Sequence, residues 1–129
     1  MLDTNSVRHL IREHPVVVRR VVSAPMTALC LSAVTEAELR YGLAKRPEAT
    51  RLHRVVGELL LRLDVLPWDS DVARIYGETR AAMERQGKVL APLDLMIAAH
   101  AIAMGCILVS NDQAFAQLPG LALEDWMTG

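Results

Sequence analysis

Residues 92–112 read Pro92-Leu93-Asp94-Leu95-Met96-Ile97-Ala98-Ala99-His100-Ala101-Ile102-Ala103-Met104-Gly105-Cys106-Ile107-Leu108-Val109-Ser110-Asn111-Asp112. This stretch decides the fold class. From Leu93 to Met104 the chain is apolar almost all round, which specifies a helix buried on most sides. Gly105 stops it. Cys106 to Val109 is a compact apolar run, read as a buried strand, and Gln113 to Leu118 follows as a short helix. A buried helix feeding a buried strand is the unit from which parallel sheets are built.

Working outward, the same alternation holds on both sides. Leu2 marks a clipped first strand, and the chain turns at Thr4-Asn5. Val7, Leu10 and Ile11 give a short helix that ends before Pro15, and Val16 to Val22 a second that stops at Pro25. Ala28-Leu29-Cys30-Leu31-Ser32 reads as another buried strand. Thr35 and Glu38 have capping-box spacing, opening a helix that runs to about Lys45. Leu52, Val55, Val56, Leu59, Leu60 and Leu63 form one apolar helical stripe. Val65 to Trp68 is a short strand. Asp69 or Ser70 then caps a long helix with Val72, Ile75, Tyr76, Thr79 and Met83 inward, ending at Gly87. Leu121-Ala122-Leu123 is a candidate edge strand. Right-handed crossovers between such elements give an α/β fold: a three-layer α/β/α sandwich on a mainly parallel central sheet, residues 1–129 forming a single domain.

Composition narrows the class. With 129 residues and 52% apolar side chains, the chain has ample material for a hydrophobic core. Aromatics are only 4%, so that core is aliphatic. The net charge of −1 signals no strong pull towards polyanions, although residues 1–64 hold ten Lys/Arg against seven Asp/Glu and residues 65–129 four against eight. A basic half beside an acidic half suits a polyanion landing next to a metal pocket; solvated helix faces explain the same counts. Cys30 and Cys106 lie in apolar runs, as packed thiols would, and not as a disulfide. No signal-peptide pattern or apolar run of transmembrane length appears, so a cytoplasmic location without membrane contact is expected.

Four acidic residues stand where strands end or helices begin: Asp3, Glu38, Asp94 and Asp112. Singly, each has an ordinary structural role. Asp3 fits a turn or an N-cap, Asp94 and Asp112 are natural N-caps, and Glu38 would complete the capping box with Thr35. Ligands of parallel sheets bind beyond the carboxyl ends of the strands, however, and four carboxylates gathered there repel one another unless cations neutralise them. Oxygen ligands without His or Cys suit Mg2+ or Mn2+ and not zinc. His9, His14, His53 and His100 show no paired metal spacing, and His100 reads as a satisfied core histidine.

Four segments carry a family resemblance. They are Met1-Leu2-Asp3-Thr4-Asn5; Ser32-x-Val34-Thr35-x-x-Glu38-Leu39-x-Tyr41-Gly42; Asp94-x-x-Ile97-Ala98-Ala99-His100-Ala101; and Val109-Ser110-Asn111-Asp112-x-x-Phe115. In this order and spacing they resemble the PIN-domain ribonucleases, and among these the VapC toxins of VapBC toxin–antitoxin systems. Gly120-Leu121-x-Leu123-Glu124-Asp125-Trp126 is similar to the enteric type. The resemblance implies an Mg2+-dependent endoribonuclease, with Mn2+ as a substitute ion, and a homodimer held by a VapB antitoxin that alone contacts DNA. It implies Asp3, Glu38, Asp94 and Asp112 as catalytic metal ligands. Thr4, Ser110 and Asn111 would be substrate-binding neighbours, and the RNA a tRNA such as the initiator tRNA, cut in its anticodon loop.

Asp3 and Asp94 are expected as the primary ligands, completed by Glu38 and Asp112. Water as nucleophile predicts 5′-phosphate and 3′-hydroxyl ends. Arg8, Arg12, Arg40, Lys45, Arg46, Arg51 and Arg54 are candidate phosphate contacts. Two rival readings fit a small α/β domain. A receiver domain needs adjacent acids after its first strand and a late lysine, but Asp3 stands alone and no lysine follows Lys88. A non-catalytic PIN-like module partnering a DNA-binding antitoxin would not need all four acidic positions filled.

Overall fold

The computed structural model describes residues 1–127, without the side chain of Met26; residues 128–129 of the expected domain lie outside the described residues. The elements in chain order are α1 (Thr4–Ile11), α2 (Pro15–Ser23), β1 (Cys30–Ser32), α3 (Ala33–Ala44), α4 (Thr50–Arg62), β2 (Asp64–Leu66), α5 (Ser70–Arg85), α6 (Pro92–Met104), β3 (Leu108–Val109) and β4 (Leu123–Glu124). A 3-10 turn at Met26–Ala28 leads into β1, and another at Gln113–Gln117 separates β3 from β4.

All strand pairs are parallel. β1 pairs with β2 in the register Cys30–Asp64 to Ser32–Leu66, and β3 with β4 at Leu108–Leu123 and Val109–Glu124. Leu2 joins the two pairs, bridging in parallel to Val109 and donating its N–H to the Cys30 carbonyl at 3.0 Å. The order across the sheet is therefore β2, β1, Leu2, β3, β4, with the start of the chain at its centre.

Side-chain alternation splits the core in two. Leu2, Leu31 and Val109 pack on one face with Val7 and Val17 of α1 and α2, Leu39 of α3 and Val56 of α4. Met1 and Leu108 pack on the other with Met83 of α5 and Leu95, Ile97, Ala98 and Ala101 of α6. Helices thus cover both faces, giving the three layers expected. Leu2, Leu31, Ile97 and Leu108 are fully buried.

Helix starts depart from the sequence reading in two places. The N-cap of α3 is Ser32, whose Oγ accepts the Val34 N–H at 3.1 Å, so Thr35 lies inside the first turn and no capping box forms with Glu38. A serine placed directly after the strand reaches the orphan amides first. Asp94 is not an N-cap either: Pro92 opens α6, Ala91 occupies the cap position without a side-chain bond, and Asp94 is the third helical residue. Proline at the first helical position fixes that frame. Asp3, Asp69 and Asp112 do cap, accepting from the backbone N–H of Ser6, Val72 and Ala114. Gly105 ends α6 with φ of 65°, a conformation glycine adopts without strain. The remaining strands are shorter than the apolar runs that announced them: two or three residues each.

Candidate active site

Asp3 follows the central Leu2, Ser32 ends β1, and Ser110 follows β3, so the carboxyl edge of the sheet collects three of the motif segments. Asp3 N–H donates to the Val109 carbonyl at 3.1 Å and Ser6 Oγ donates to the same carbonyl at 2.9 Å, tying the first motif to the last. Asp3 is buried, and its Oδ1 accepts the Ser6 N–H at 2.8 Å. At the start of α1 the carboxylate also faces the positive end of the helix.

Glu38 comes from the second turn of α3. Its Oε1 accepts the Thr4 hydroxyl at 2.9 Å, a contact between residues 34 positions apart. Asp112 follows β3; its N–H donates to Ser110 Oγ at 3.0 Å and its Oδ1 accepts the Ala114 N–H at 2.9 Å. Ser110 is buried, whereas Asn111 is exposed.

Asp94 reports on the whole group. Its carboxyl is held above the usual carboxylate range, first by burial and then by the negative charges of Asp112, Glu38 and Asp3. The four acidic residues identified from sequence are thus electrostatic neighbours at one edge of the fold, although 109 positions separate the first from the last. No basic side chain contributes to the Asp94 shift. Among the described residues, no group of three His, Cys, Asp or Glu side chains is drawn close enough to hold an ion as placed. The donor set is all oxygen and the surplus charge is negative, which fits a hard divalent cation.

Of the proposed phosphate contacts, Arg40 is paired with Glu36 at 2.8 Å, and Arg51 reaches Glu13 at 4.0 Å. A cavity of about 200 Å³ lies elsewhere, between α5 and the segment entering α6. Tyr76, Arg80, Met83, Lys88, Leu90 and Leu95 are among the residues lining it, and none of the four carboxylates is. The sequence reading overlooked Ser6, which both fixes Asp3 and clasps Val109. Its signal was present in the Asp3-x-x-Ser6 spacing of an N-cap. His100 is fully buried and bonds Ser32 through Nδ1; among the described residues its Nε2 makes no close hydrogen bond, and the Pro67 carbonyl is the acceptor acting on the ring.

The family model for the PIN domain matches residues 1–121. The chain is 39% identical over 127 residues to a tRNA(fMet)-specific endonuclease VapC of Shigella flexneri, covering 98% of this chain and 96% of that protein. It is 36% identical to the protein of the same name from Salmonella typhimurium, with the same coverage. Among solved structures, VapBC2 from Rickettsia felis bound to a DNA fragment from their promoter superposes with a TM-score of 0.89 at 31% identity, covering 98% of this chain and 97% of that one. DNA-bound VapBC from Salmonella typhimurium gives 0.89 at 35% identity, covering 98% and 96%. The chain belongs to the PIN-domain family and, within it, to the VapC ribonucleases.

Proposed function

We propose that this protein is the endoribonuclease toxin of a toxin–antitoxin pair and that Asp3, Glu38, Asp94 and Asp112 form its catalytic centre around Mg2+, with Mn2+ able to substitute. The supporting observation is the electrostatic convergence of these four residues, felt at Asp94 as three neighbouring negative charges. A bound divalent cation supplies an acidified water and neutralises charge on the scissile phosphate.

The chain's own side chains prepare that chemistry. The Ser6 N–H and the Thr4 hydroxyl each hold one carboxylate oxygen, of Asp3 and Glu38, leaving the second oxygen of each pair for a ligand. The Ala114 N–H does the same for Asp112. Ser110 Oγ, buried beneath the site, accepts from Asp112 N–H and holds the turn that carries Asp112. Asn111, exposed beside it, offers amide donors to the RNA. Asp3 and Asp94 are the primary ligands in this reading, and water displaces the 3′-oxygen, leaving 5′-phosphate and 3′-hydroxyl ends.

The substrate we propose is a tRNA, with tRNA(fMet) the first to test, because the relatives at 39% and 36% identity carry that specificity in their names. The proposed partner is a VapB-type antitoxin that brings the toxin to DNA indirectly, within a toxin homodimer. The test is sequencing of RNA ends after brief expression of wild type and Asp94→Asn. Cuts present only with the wild type support the proposal; the same cuts in the variant remove the site. A non-catalytic module would show no cuts in either.

A further inference from the structure

A polar contact in the core is not explained by the carboxylate cluster. His100 and Ser32 are both fully buried, and His100 Nδ1 lies 2.7 Å from Ser32 Oγ. The same oxygen accepts the Val34 N–H as the N-cap of α3. With the Pro67 carbonyl acting on the ring as an acceptor, the imidazole proton is assigned to Nε2, and the Ser32 hydroxyl, which can accept from Val34 and still donate, gives its proton to Nδ1. Among the described residues Nε2 makes no close hydrogen bond, but the Pro67 carbonyl acts on the ring as a hydrogen-bond acceptor and the Asp69 carboxylate as a nearby charge. An apolar side chain at position 100 would fill the same space and cost only the acceptor for the Ser32 hydroxyl.

Its position suggests another role. Glu38 lies six residues beyond Ser32 on α3, and Asp94 six residues before His100 on α6. Each carboxylate is therefore about 9 Å along its helix from the bond. The two helices pack against each other, and the Glu38 charge is felt at Asp94.

We propose that His100 is a positioning residue: by accepting the Ser32 hydroxyl proton it pins α3 to α6 and sets the spacing at which Glu38 and Asp94 face one cation. This rests on the reading of the carboxylates as a metal site. Repulsion between the two acids spreads the helices, and a short hydrogen bond sheltered from water opposes that spreading.

The experiment compares full-length wild type, His100→Leu, His100→Asn and Ser32→Ala, with Mn2+ binding measured by calorimetry and folding by circular dichroism. His100→Leu removes the acceptor and is expected to weaken Mn2+ binding about 10- to 100-fold, the range typical for groups that orient metal ligands. It should lower kcat on RNA without changing KM. In His100→Asn the amide oxygen takes the place of Nδ1, and Mn2+ affinity returns towards wild type. Wild-type affinity in His100→Leu, or equal loss in the leucine and asparagine variants at equal stability, overturns the proposal. Should His100→Leu fail to fold, Ser32→Ala decides, since it removes the hydroxyl and keeps the ring; unchanged Mn2+ affinity there also overturns it. Asp94→Asn separates the two levels. If it loses Mn2+ binding while His100→Leu and Ser32→Ala keep it, only the positioning role falls. If it binds like wild type, the metal-site reading falls.

Discussion

Asp94→Asn should stabilise the metal-free protein while abolishing its activity. Two like unit charges repel by roughly 4 kcal/mol at about 4 Å, and by less at longer range, at an effective dielectric of ~20. Asp94 is partly exposed and meets three such charges, from Asp112, Glu38 and Asp3. Solvent screening reduces their sum to about 1–2 kcal/mol. Against this, Asp94 lies in the first turn of α6, where a negative charge gains about 0.3–1 kcal/mol from the helix dipole, and asparagine forfeits that. The balance is about 1 kcal/mol in favour of the variant, or a rise of about 3–5 °C in Tm for a domain of this size. Saturating Mg2+ reverses the order. At about 100 times its Kd, a ligand of the native state adds about 2.7 kcal/mol to the wild type and little to the variant. Differential scanning calorimetry in EDTA and then in Mg2+ measures both halves. A variant less stable than wild type in EDTA, with an equal Mg2+ shift, would refute the reasoning.

Thr4→Val removes the hydroxyl that holds Glu38. RNA cleavage should fall at least about tenfold, whereas stability should change by no more than about 1.5 kcal/mol, the net worth of one hydrogen bond. A steady-state assay and a urea melt check the two figures. Leu31→Ala empties a fully buried site between the sheet and its covering helices and should cost about 3–4 kcal/mol, read as a lower urea midpoint. His100 and Asp94 pull pH dependence in opposite directions. Burial lowers the His100 pKa, so on acidification the unfolded chain binds its proton first. Stability is then lost as pH falls from the ordinary imidazole range towards the lowered value, at up to about 1.4 kcal/mol per pH unit. The raised Asp94 pKa does the reverse: its protonation on acidification relieves repulsion and adds stability in the metal-free protein. Chemical denaturation in EDTA between neutral and mildly acid pH should show a shallower acid limb in His100→Asn and a steeper one in Asp94→Asn.

The sequence was legible where the determinants are local. The near-continuous apolar run of α6, the glycine that ends it and the aspartates that follow strand residues all act within a few positions, and Asp3 and Asp112 cap where expected. Competition between neighbouring signals was not legible. Ser32 outcompetes Thr35 for the start of α3, and Pro92 sets the frame of α6 ahead of Asp94. Freed from capping, Glu38 and Asp94 keep their carboxylates available for the cluster. What no local pattern carries is the long-range pairing: Thr4 with Glu38 across 34 positions, and Ser32 with His100 across 68. Those contacts exist only once the sheet has brought β1 and the first residues of the chain side by side.

In the proposed function, four distant acids act together as one cation-dependent nuclease site. Incubating purified protein with tRNA(fMet), with and without Mg2+, and mapping the ends of any fragments tests it most directly. Mg2+-dependent cuts bearing 5′-phosphates and 3′-hydroxyls are expected, absent with Asp3→Asn or Asp94→Asn. Cleavage in EDTA yielding 2′,3′-cyclic phosphates, undiminished in those variants, would contradict it.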